Sequence, residues 1–282
     1  MNIPWKIKSA IFRIIDVLGI QLLVDVLQKY VTKRSVQKST TYNPNWELHL
    51  NVINKFGPMT KLFEFGAGQS LAQNLFLSHA IDEQELVDLN FILDLELVEK
   101  SRRFLDENYC SLAHPINSRD DLLEYGIKYT APVDAKGTHL ESASMDICVS
   151  TDTLEHIPMN EIKEILQEIH RVLKLGGILS VKIDYSDHYS HTDETISSLN
   201  FLRYSDTEWM KHNHSYHYQN RLRHLEYKQL ILSSGFEMLD ERVLNVENSF
   251  DGTNMDKTFS TRKDTSILEG YFCAIKVNEL RN

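Results

Sequence analysis

The chain has 282 residues, of which 42% are hydrophobic and 25% are charged, so it can bury a substantial core as one large domain or a domain with appendages. Its 30 Lys and Arg face 40 Asp and Glu, and the net charge of −10 argues against nucleic acid as a partner. Three widely spaced cysteines, Cys110, Cys148 and Cys273, indicate neither a zinc site nor a disulfide framework, which fits a reducing cytoplasm.

The first 45 residues predict an amphipathic helical segment followed by a polar linker at 32–45. Charged residues interrupt the apolar stretch, so it is neither a membrane span nor a secretion signal. We expect one or two helices, broken near Gly19, that pack on the main domain. Peripheral membrane contact through Lys6, Lys8 and Arg13 is the less favoured alternative. The predicted packing face comprises Ile7, Ile11, Ile14, Leu18, Leu22 and Val26.

From residue 46 to residue 282 the segments alternate between strand-like and helix-like patterns, which predicts an α/β domain with a mainly parallel sheet. The paired glycines Gly176 and Gly177 are interpreted as the cap of the preceding helix. Strands are predicted at 62–65, 85–88, 128–133, 145–150, 178–183, 237–246 and 271–277, and helices at 70–79, 160–173 and 227–235.

A Gly-x-Gly turn follows the first predicted strand, where glycine lets a ligand approach the backbone closely. This turn predicts a nucleotide-type cofactor site, although the third glycine of a dinucleotide fingerprint is missing and an ordinary tight turn is the alternative. Asp88 lies 20 residues beyond Gly68, the spacing at which a carboxylate meets ribose hydroxyls. Asp94 is the competing candidate, and a solvated acid at a strand end is the other interpretation of Asp88.

The order of motifs resembles the class I S-adenosylmethionine-dependent methyltransferases, in particular their small-molecule branch. The motifs that carry the resemblance are Glu64-Phe65-Gly66-Ala67-Gly68, Asp88, Asp134, Ser144-Met145-Asp146, Leu154-Glu155-His156-Ile157 and Arg171-Val172-Leu173-Lys174-Leu175-Gly176-Gly177. The resemblance implies a Rossmann-like, doubly wound, seven-stranded sheet with an antiparallel final hairpin. It covers the core at 62–183, and we expect a substrate cover inserted at about 184–226 and the final strands at 236–277.

The resemblance also implies S-adenosylmethionine as the cofactor and assigns residues to its parts. Gln69 and Ser70 stand where the family often has a small residue and a further glycine, which is a departure from the pattern. Asp88 is assigned to the ribose, Asp134 and Ala135 to the adenine, Thr151 to the floor beside the sulfonium, and His156 to the cofactor's edge. The residues expected around the methionine part are Glu64, Gly66, Ala67, Gly68 and Gln69.

A segment rich in titratable groups begins where the fifth predicted strand ends, at the edge where ligands of an open parallel sheet bind. Here His188 or His191 is a candidate base for an acceptor hydroxyl, with Asp184 or Asp187 orienting the imidazole. The same set could hold a divalent cation that positions a vicinal diol. We favour the base over the metal, and a solvent-facing polar loop is the third interpretation.

The inserted segment at 200–226 combines aromatic residues with His and Arg, which favours a polar, anionic or glycosylated acceptor. We expect Tyr185, Arg221 and Arg223 to contact that substrate, with interface salt bridges as the alternative for either Arg. A zinc site at His212, His214 and His217 is discounted because no cysteine lies nearby. The polar excursion at 247–265 is expected to form a flexible loop over the site.

The sequence therefore predicts an O-methyltransferase that acts on a small-molecule or sugar hydroxyl, modifying a carbohydrate or secondary metabolite. N- or C-methylation stays open as an alternative. A non-catalytic methyltransferase-like binding or scaffold protein is the alternative from another class. A nicotinamide-dependent enzyme is disfavoured because the third glycine is missing.

Overall fold

The structure of the protein is a computed structural model that describes residues 3–20, 34–247 and 254–277. Its helices are α1 (Trp5–Leu18), α2 (Arg34–Ser39), α3 (Trp46–Phe56), α4 (Ala72–Leu77), α5 (Leu95–Asn108), α6 (Met159–Val172), α7 (Asp206–Trp209) and α8 (His224–Ser233). Its strands are β1 (Lys61–Phe65), β2 (Glu83–Val87), β3 (Ile127–Thr130), β4 (Met145–Thr151), β5 (Leu173–Asp184), β6 (Phe236–Val246) and β7 (Ile267–Lys276). Short 3-10 helices span Asp120–Tyr125, Leu154–His156, Asn200–Arg203 and Ser215–His217.

The strands form one seven-stranded sheet in the order β3-β2-β1-β4-β5-β7-β6. The pairs from β3 to β5 are parallel, whereas β7 runs antiparallel to both β5 and β6. The predicted mainly parallel sheet with an antiparallel final hairpin is confirmed. Its carboxyl edge is therefore formed by the ends of β1, β2, β4 and β5, where a ligand is expected to bind.

Helices cover both faces of the sheet, which is why its central strands are apolar almost throughout. Leu62 of β1 packs with α3, α4 and α5 on one face. Its neighbour Phe63 packs with α6 and α8 on the other face. Because successive strand residues point to opposite faces, each central strand contributes to both layers and is held rigidly between them.

Helix α1 packs on the insertion between β5 and α8, through a different face from the one predicted. Trp5 is buried among aromatic residues that include Tyr189 and Trp209. Ile7, Ile11, Ile14 and Leu18 of the predicted face are instead 43–62% exposed, and Leu22 and Val26 lie outside the described residues. The aromatic ring at Trp5 and the hydrogen bond from its N–H to Asp193 decide the orientation. Within the described ranges, no helix is long and apolar enough to cross a membrane.

The prediction that the paired glycines cap α6 is wrong. The helix ends at Val172, and Leu173 already has extended backbone angles and pairs with Met145. The next pair in this ladder joins Ile147 to Ile178, so residues 174–177 bulge out of the strand, with Gly176 at a φ of +80°. A tight turn inside a strand and the end of a helix both favour glycine, because both need a residue in the left-handed backbone conformation. The paired glycines therefore do not distinguish the two structures.

Two other boundaries differ from the prediction. The helix after β1 begins at Ala72 and not at residue 70, because Leu71 adopts a left-handed conformation with a φ of +48°. In the excursion expected to form a flexible loop, residues 248–253 lie outside the described residues. Phe259, in the described part, is buried against the same aromatic cluster as Trp5, so this part of the segment is packed.

Candidate active site

Two adjoining cavities lie at the carboxyl edge of the sheet. The larger has a volume of about 810 Å³ and extends from the glycine turn after β1 to the residues that follow β5. The smaller, of about 440 Å³, lies between the same turn and α3. Lys38, Ser70 and Asp152 line both, so the two cavities form one continuous cleft.

The glycine turn after β1 is shaped by two residues with positive φ. At Gly66 a side chain is excluded, since a Cβ atom would lie 2.4 Å from Cγ2 of Thr153. At Gly68 a Cβ atom would meet nothing within 4 Å, so the backbone there borders open space in the larger cavity. Ala67 lines the smaller cavity, and Gln69 lines the larger. The turn thus leaves room for a ligand to approach the main chain.

Glu64, at the end of β1, is buried and held by amides of α4. Its carboxylate accepts hydrogen bonds from Nε2 of Gln73 at 2.9 Å and Nδ2 of Asn74 at 2.6 Å. Burial raises the pKa of Glu64 to about 8, despite these two hydrogen bonds. Thr151, at the end of β4, bonds to Oε1 of Gln73 at 2.7 Å and to His49 at 2.8 Å. Both residues line the smaller cavity and have fixed positions.

Asp88 lies directly after β2 and is only 5% exposed. Its Oδ2 has no hydrogen-bond partner within the ranges that the structure describes. Burial raises its pKa to about 6, while the hydroxyl of Tyr129 and the N–H of Gly68 act in the opposite direction. A buried carboxylate oxygen without a partner is costly, and a hydroxyl donor from a ligand would remove that cost.

The competing acid, Asp94, has a structural role. Its side chain caps α5 by accepting hydrogen bonds from the N–H groups of Glu96 and Leu97. Asp134 and Ala135 are brought near the tip of β2, because the N–H of Val133 donates to the carbonyl oxygen of Asp88 at 2.9 Å. Asp134 itself is exposed and forms an ion pair with Lys136.

Three histidines and two carboxylates line the opposite side of the larger cavity. Nε2 of His188 and of His191 lie 3.4 Å and 3.8 Å from Oδ2 of Asp184. The ring of His156 lies 5.0 Å from that of His188, measured between centroids. Burial, followed by the nearby His188, lowers the pKa of both His156 and His191. Glu155, His156, Asp184, His188 and His191 therefore face one space.

Four residues predicted to act on the acceptor are used instead to hold the insertion together. Asp187 is fully buried and accepts hydrogen bonds from Asn200 and from the N–H of Tyr189, so it orients neither histidine. Tyr185 is buried, with its hydroxyl 3.1 Å from Nδ1 of His224. These positions correct the predicted roles of Asp187 and Tyr185, because neither side chain reaches the cavity.

The two predicted substrate arginines are also structural. Arg223 is completely buried and donates to the carbonyl oxygens of Tyr185, Thr265 and Ile267. Arg221 donates to the carbonyl oxygens of Phe201 and Tyr204, and it pairs with Asp206. Their guanidinium groups bind the backbone of the chain itself, so they are unavailable to a substrate.

Sequence reasoning missed Glu155, Lys182 and the contribution of the N-terminal region. Glu155 belongs to the motif Leu154-Glu155-His156-Ile157, and the position of that motif in the sequence gives no sign that both carboxylate oxygens are buried. Lys182 of β5 is buried and binds Asp152 and Glu269, each at 2.7 Å. Lys8 and Lys38 also line the larger cavity. Lys8 and Lys38 lie far from the motifs in sequence, so no local pattern predicts that they line this cavity.

Comparison with known proteins matches part of the chain to a family model and its fold to solved structures. Residues 105–181 match the family model described as a methyltransferase domain. A structure titled as an S-adenosylmethionine-dependent methyltransferase from Methanosarcina mazei superposes with a TM-score of 0.50 at 18% identity, over 81% of this chain and 98% of that one. Residues 105–181 therefore carry a methyltransferase domain, within a fold that the chain shares with that structure. The unpartnered oxygen of Asp88, beside the open backbone at Gly68, fits the ribose of a cofactor such as S-adenosylmethionine.

Two other solved structures superpose on the chain with lower TM-scores. A chain from the complex between the Trm112 methyltransferase activator and a putative methyltransferase of Haloferax volcanii has a TM-score of 0.49 at 14% identity, over 95% of this chain and 98% of that one. Phosphoethanolamine N-methyltransferase 2 of Haemonchus contortus, in complex with S-adenosylmethionine, has a TM-score of 0.46 at 16% identity, over 83% of this chain and 53% of that one. No curated protein matches the sequence significantly.

Proposed function

We propose that this methyltransferase transfers the methyl group of S-adenosylmethionine to a hydroxyl oxygen of a small molecule or sugar. One observation carries the proposal: the same cavity is lined by Gly68 of the cofactor turn and by His191 with its carboxylate neighbour Asp184. A hydroxyl is a poor nucleophile until its proton is removed, so a base beside the methyl donor is the group that O-methylation needs. A carbohydrate or a secondary metabolite is the acceptor class that we propose.

The cofactor's position is proposed from the resemblance and from the fixed groups along the cleft. Gly66, Ala67, Gly68, Gln69 and Glu64 line the space for the methionine part. Asp88 accepts from the ribose hydroxyls, and Asp134 and Ala135 border the adenine. Thr151, which lines the smaller cavity, forms the floor beside the sulfonium in this proposal, and His156, which lines the larger cavity, borders the cofactor's edge.

His191 is the proposed base. S-adenosylmethionine supplies a methyl group already activated by the sulfonium, so the chain has to align the acceptor oxygen and accept its proton. His191 is about half exposed at the cavity, where an acceptor can reach it, and Nε2 lies 3.1 Å from Oγ of Ser186. The deeper His188 is the alternative base, since its Nε2 lies nearer to Asp184.

N- or C-methylation and a scaffold role without turnover are the competing functions. An amine that is already neutral needs little help from a base, so N-methylation does not account for an imidazole and carboxylate cluster in the cavity. The unpartnered oxygen of Asp88 favours a bound cofactor and therefore argues against a scaffold. We also propose a reducing compartment such as the cytoplasm, because Cys110, Cys148 and Cys273 are all free.

The test has two steps that separate cofactor binding from catalysis. Calorimetric titration with S-adenosylmethionine and S-adenosylhomocysteine, with NAD as the control, should show saturable binding of the first two compounds alone. Methyl transfer from labelled cofactor is then measured with panels of hydroxylated and amine acceptors of similar size. Transfer to hydroxyl acceptors that is lost in His191→Ala supports the proposal. Cofactor binding with transfer only to amines would replace it with N-methylation.

A further inference from the structure

Glu155 is a buried carboxyl group that forms no side-chain hydrogen bond or ion pair within the described structure. It is 1% exposed, and neither Oε1 nor Oε2 has a hydrogen-bond partner within the described ranges. An ionised carboxylate in that position is strongly destabilising unless a cation or a donor reaches it. Because Glu155 lines the larger cavity, the partner that it lacks can come from a ligand in that cavity.

The neighbouring His156 is held with one ring nitrogen directed at this position. Its Nδ1 lies 2.9 Å from the carbonyl oxygen of Tyr218. A carbonyl oxygen can only accept, so Nδ1 carries the hydrogen and the neutral ring presents a lone pair at Nε2. A histidine fixed through one nitrogen by a backbone carbonyl is the usual arrangement of a metal ligand.

His188 completes a set of three donors. One ligand atom each from Glu155, His156 and His188 lies within 4.8 Å of the other two. Nε2 of His188 is buried without a hydrogen-bond partner in the described part of the chain, and it lies 3.4 Å from Oδ2 of Asp184. Two imidazoles and one carboxylate on one side of an open cavity match the facial set used by divalent transition metals.

The backbone around these donors is fixed by one short stretch of the insertion. Asn220 donates from its side chain to the carbonyl oxygens of Leu154 and Ile157, at 2.9 Å and 2.8 Å. Gln219 accepts from the N–H of His188 at 3.2 Å. Residues 218–220 therefore hold the turn with Glu155 and His156 next to the segment with His188, as a preformed ligand set requires.

The charges around the site also favour a cation. Lys182 is the buried base nearest to these acids, and it is already bound to Asp152 and Glu269. Among the described residues, no Lys or Arg forms an ion pair with Glu155 or Asp184. Two carboxyl groups thus face one pocket with histidines and the N–H of Ser186 as their described partners. A divalent cation would balance their charge.

We propose that Glu155, His156 and His188 bind one divalent transition-metal ion, of the class of Mn²⁺, Fe²⁺, Co²⁺ or Zn²⁺, with Asp184 beside it. The overlapping set of Asp184, His188 and His191 has the same spacing. It is the weaker choice, because His191 is half exposed and its Nε2 lies at hydrogen-bond distance from Ser186. In this assignment His191 remains free to accept the proton of the acceptor.

The metal site also indicates which acceptors can bind, and this inference about the acceptor rests on the function proposed above. Three protein ligands leave coordination positions open toward the cavity, so an acceptor with two neighbouring oxygens, such as a vicinal diol, would bind through both. The acceptor O–H proton passes to His191 and the oxygen forms the new bond to the methyl carbon. The carbon–sulfur bond breaks to leave neutral S-adenosylhomocysteine.

The metal site can be tested without any acceptor. The full chain is stripped with a chelator and titrated with Mn²⁺, Co²⁺ and Zn²⁺ by calorimetry, with Mg²⁺ as a comparison ion. We expect saturable binding of one transition-metal ion per chain, and nitrogen couplings from imidazole in the electron paramagnetic resonance of bound Mn²⁺. Glu155→Gln and His188→Gln should each weaken binding by about 100-fold. His79→Gln, at an exposed histidine outside the cavity, should not change it.

These measurements test the metal site independently of methyl transfer. Thermal unfolding and S-adenosylhomocysteine binding confirm that each variant is folded, and the imidazole couplings of the unmodified chain need no variant. No saturable binding, or binding that neither variant weakens, would overturn the metal site and leave a metal-free histidine cluster. Metal binding in a chain that methylates only amines would uphold the site and contradict the proposed O-methylation.

Discussion

The proposed cofactor side and the proposed acceptor side of the cleft use their polar residues in opposite ways. On the proposed cofactor side, Glu64 lies near the end of β1 and Asp88 directly follows β2, and Oδ2 of Asp88 has no described partner. On the proposed acceptor side, Asp187, Tyr185, Arg221 and Arg223 come from a polar insertion, and all four bind other groups of the chain itself. A high density of titratable residues therefore marks a segment that needs internal hydrogen bonds at least as often as it marks a catalytic site.

The physical reason lies in the regularity of the backbone. Strand and helix residues satisfy their own N–H and C=O groups, so polar side chains at their ends are free for a ligand. The insertion at 185–223 has only short helical turns, so many carbonyl groups need side-chain donors. Arg223 alone donates to three carbonyl oxygens, that of Tyr185 at the start of the insertion, that of Thr265 just before β7 and that of Ile267 at the start of β7.

The largest expected effect comes from removing that structural arginine. Arg223→Met leaves three buried carbonyl oxygens without donors and should lower the free energy of unfolding by about 3–5 kcal/mol. Urea denaturation measures the change. Arg242→Met, at a half-exposed arginine paired with Asp240, is the matched control and should change it by less than about 1 kcal/mol. Equal losses of unfolding free energy in Arg223→Met and Arg242→Met would contradict the structural role given to Arg223.

His191→Ala should act on catalysis and not on stability. Loss of the proposed base lowers kcat by about 100-fold or more, because the acceptor hydroxyl then keeps its proton. The half-exposed side chain contributes little packing, so thermal unfolding and S-adenosylhomocysteine binding should stay close to those of the unmodified chain. His79→Ala controls for the general loss of a histidine. An unchanged kcat in His191→Ala would move the role of base to His188.

Asp88→Ala tests the cofactor side directly. Removal of a charged acceptor for the ribose hydroxyls should weaken S-adenosylhomocysteine binding by about 100-fold in calorimetry. Asp94→Asn is the matched control, because that acid caps α5 and faces no proposed ligand. Binding should then be nearly unchanged. If Asp94→Asn has the larger effect, the ribose acid has been assigned to the wrong residue.

The pH dependence of cofactor binding is the smallest expected effect. Burial raises the pKa of Asp88 to about 6, and only its charged form accepts both ribose hydroxyls. Affinity should therefore rise with pH up to about 6, by at most tenfold per unit, and level off above it. The groups that face Asp88 are Tyr129 and Glu64, and burial raises the pKa of Glu64 to about 8, so Glu64 stays protonated over this range. Asp88→Ala should remove the dependence, and a slope that persists in that variant would exclude Asp88 as its source.

Local patterns account for the part of the site that was predicted. Gly66 and Gly68 follow β1 and Asp88 follows β2, as the spacing indicated, because strand, turn and strand end are neighbours in sequence. The same patterns missed the orientation of α1. An amphipathic helix shows which residues are apolar, yet Trp5 is buried while Ile7 and Ile14 are exposed, since its partner surface is supplied by Tyr189 and Trp209.

The sequence by itself determined the succession of strands and helices along the chain, the glycine turn and the residue types that follow β5, because these depend on patterns within about 20 residues. Only the tertiary structure decided which of the polar residues face the cleft. Arg223 meets Ile267 from β7, and His156 meets Tyr218 from the insertion. Whether a side chain faces the cleft or supports the fold depends on partners that lie far away in sequence, and no local pattern contains those partners.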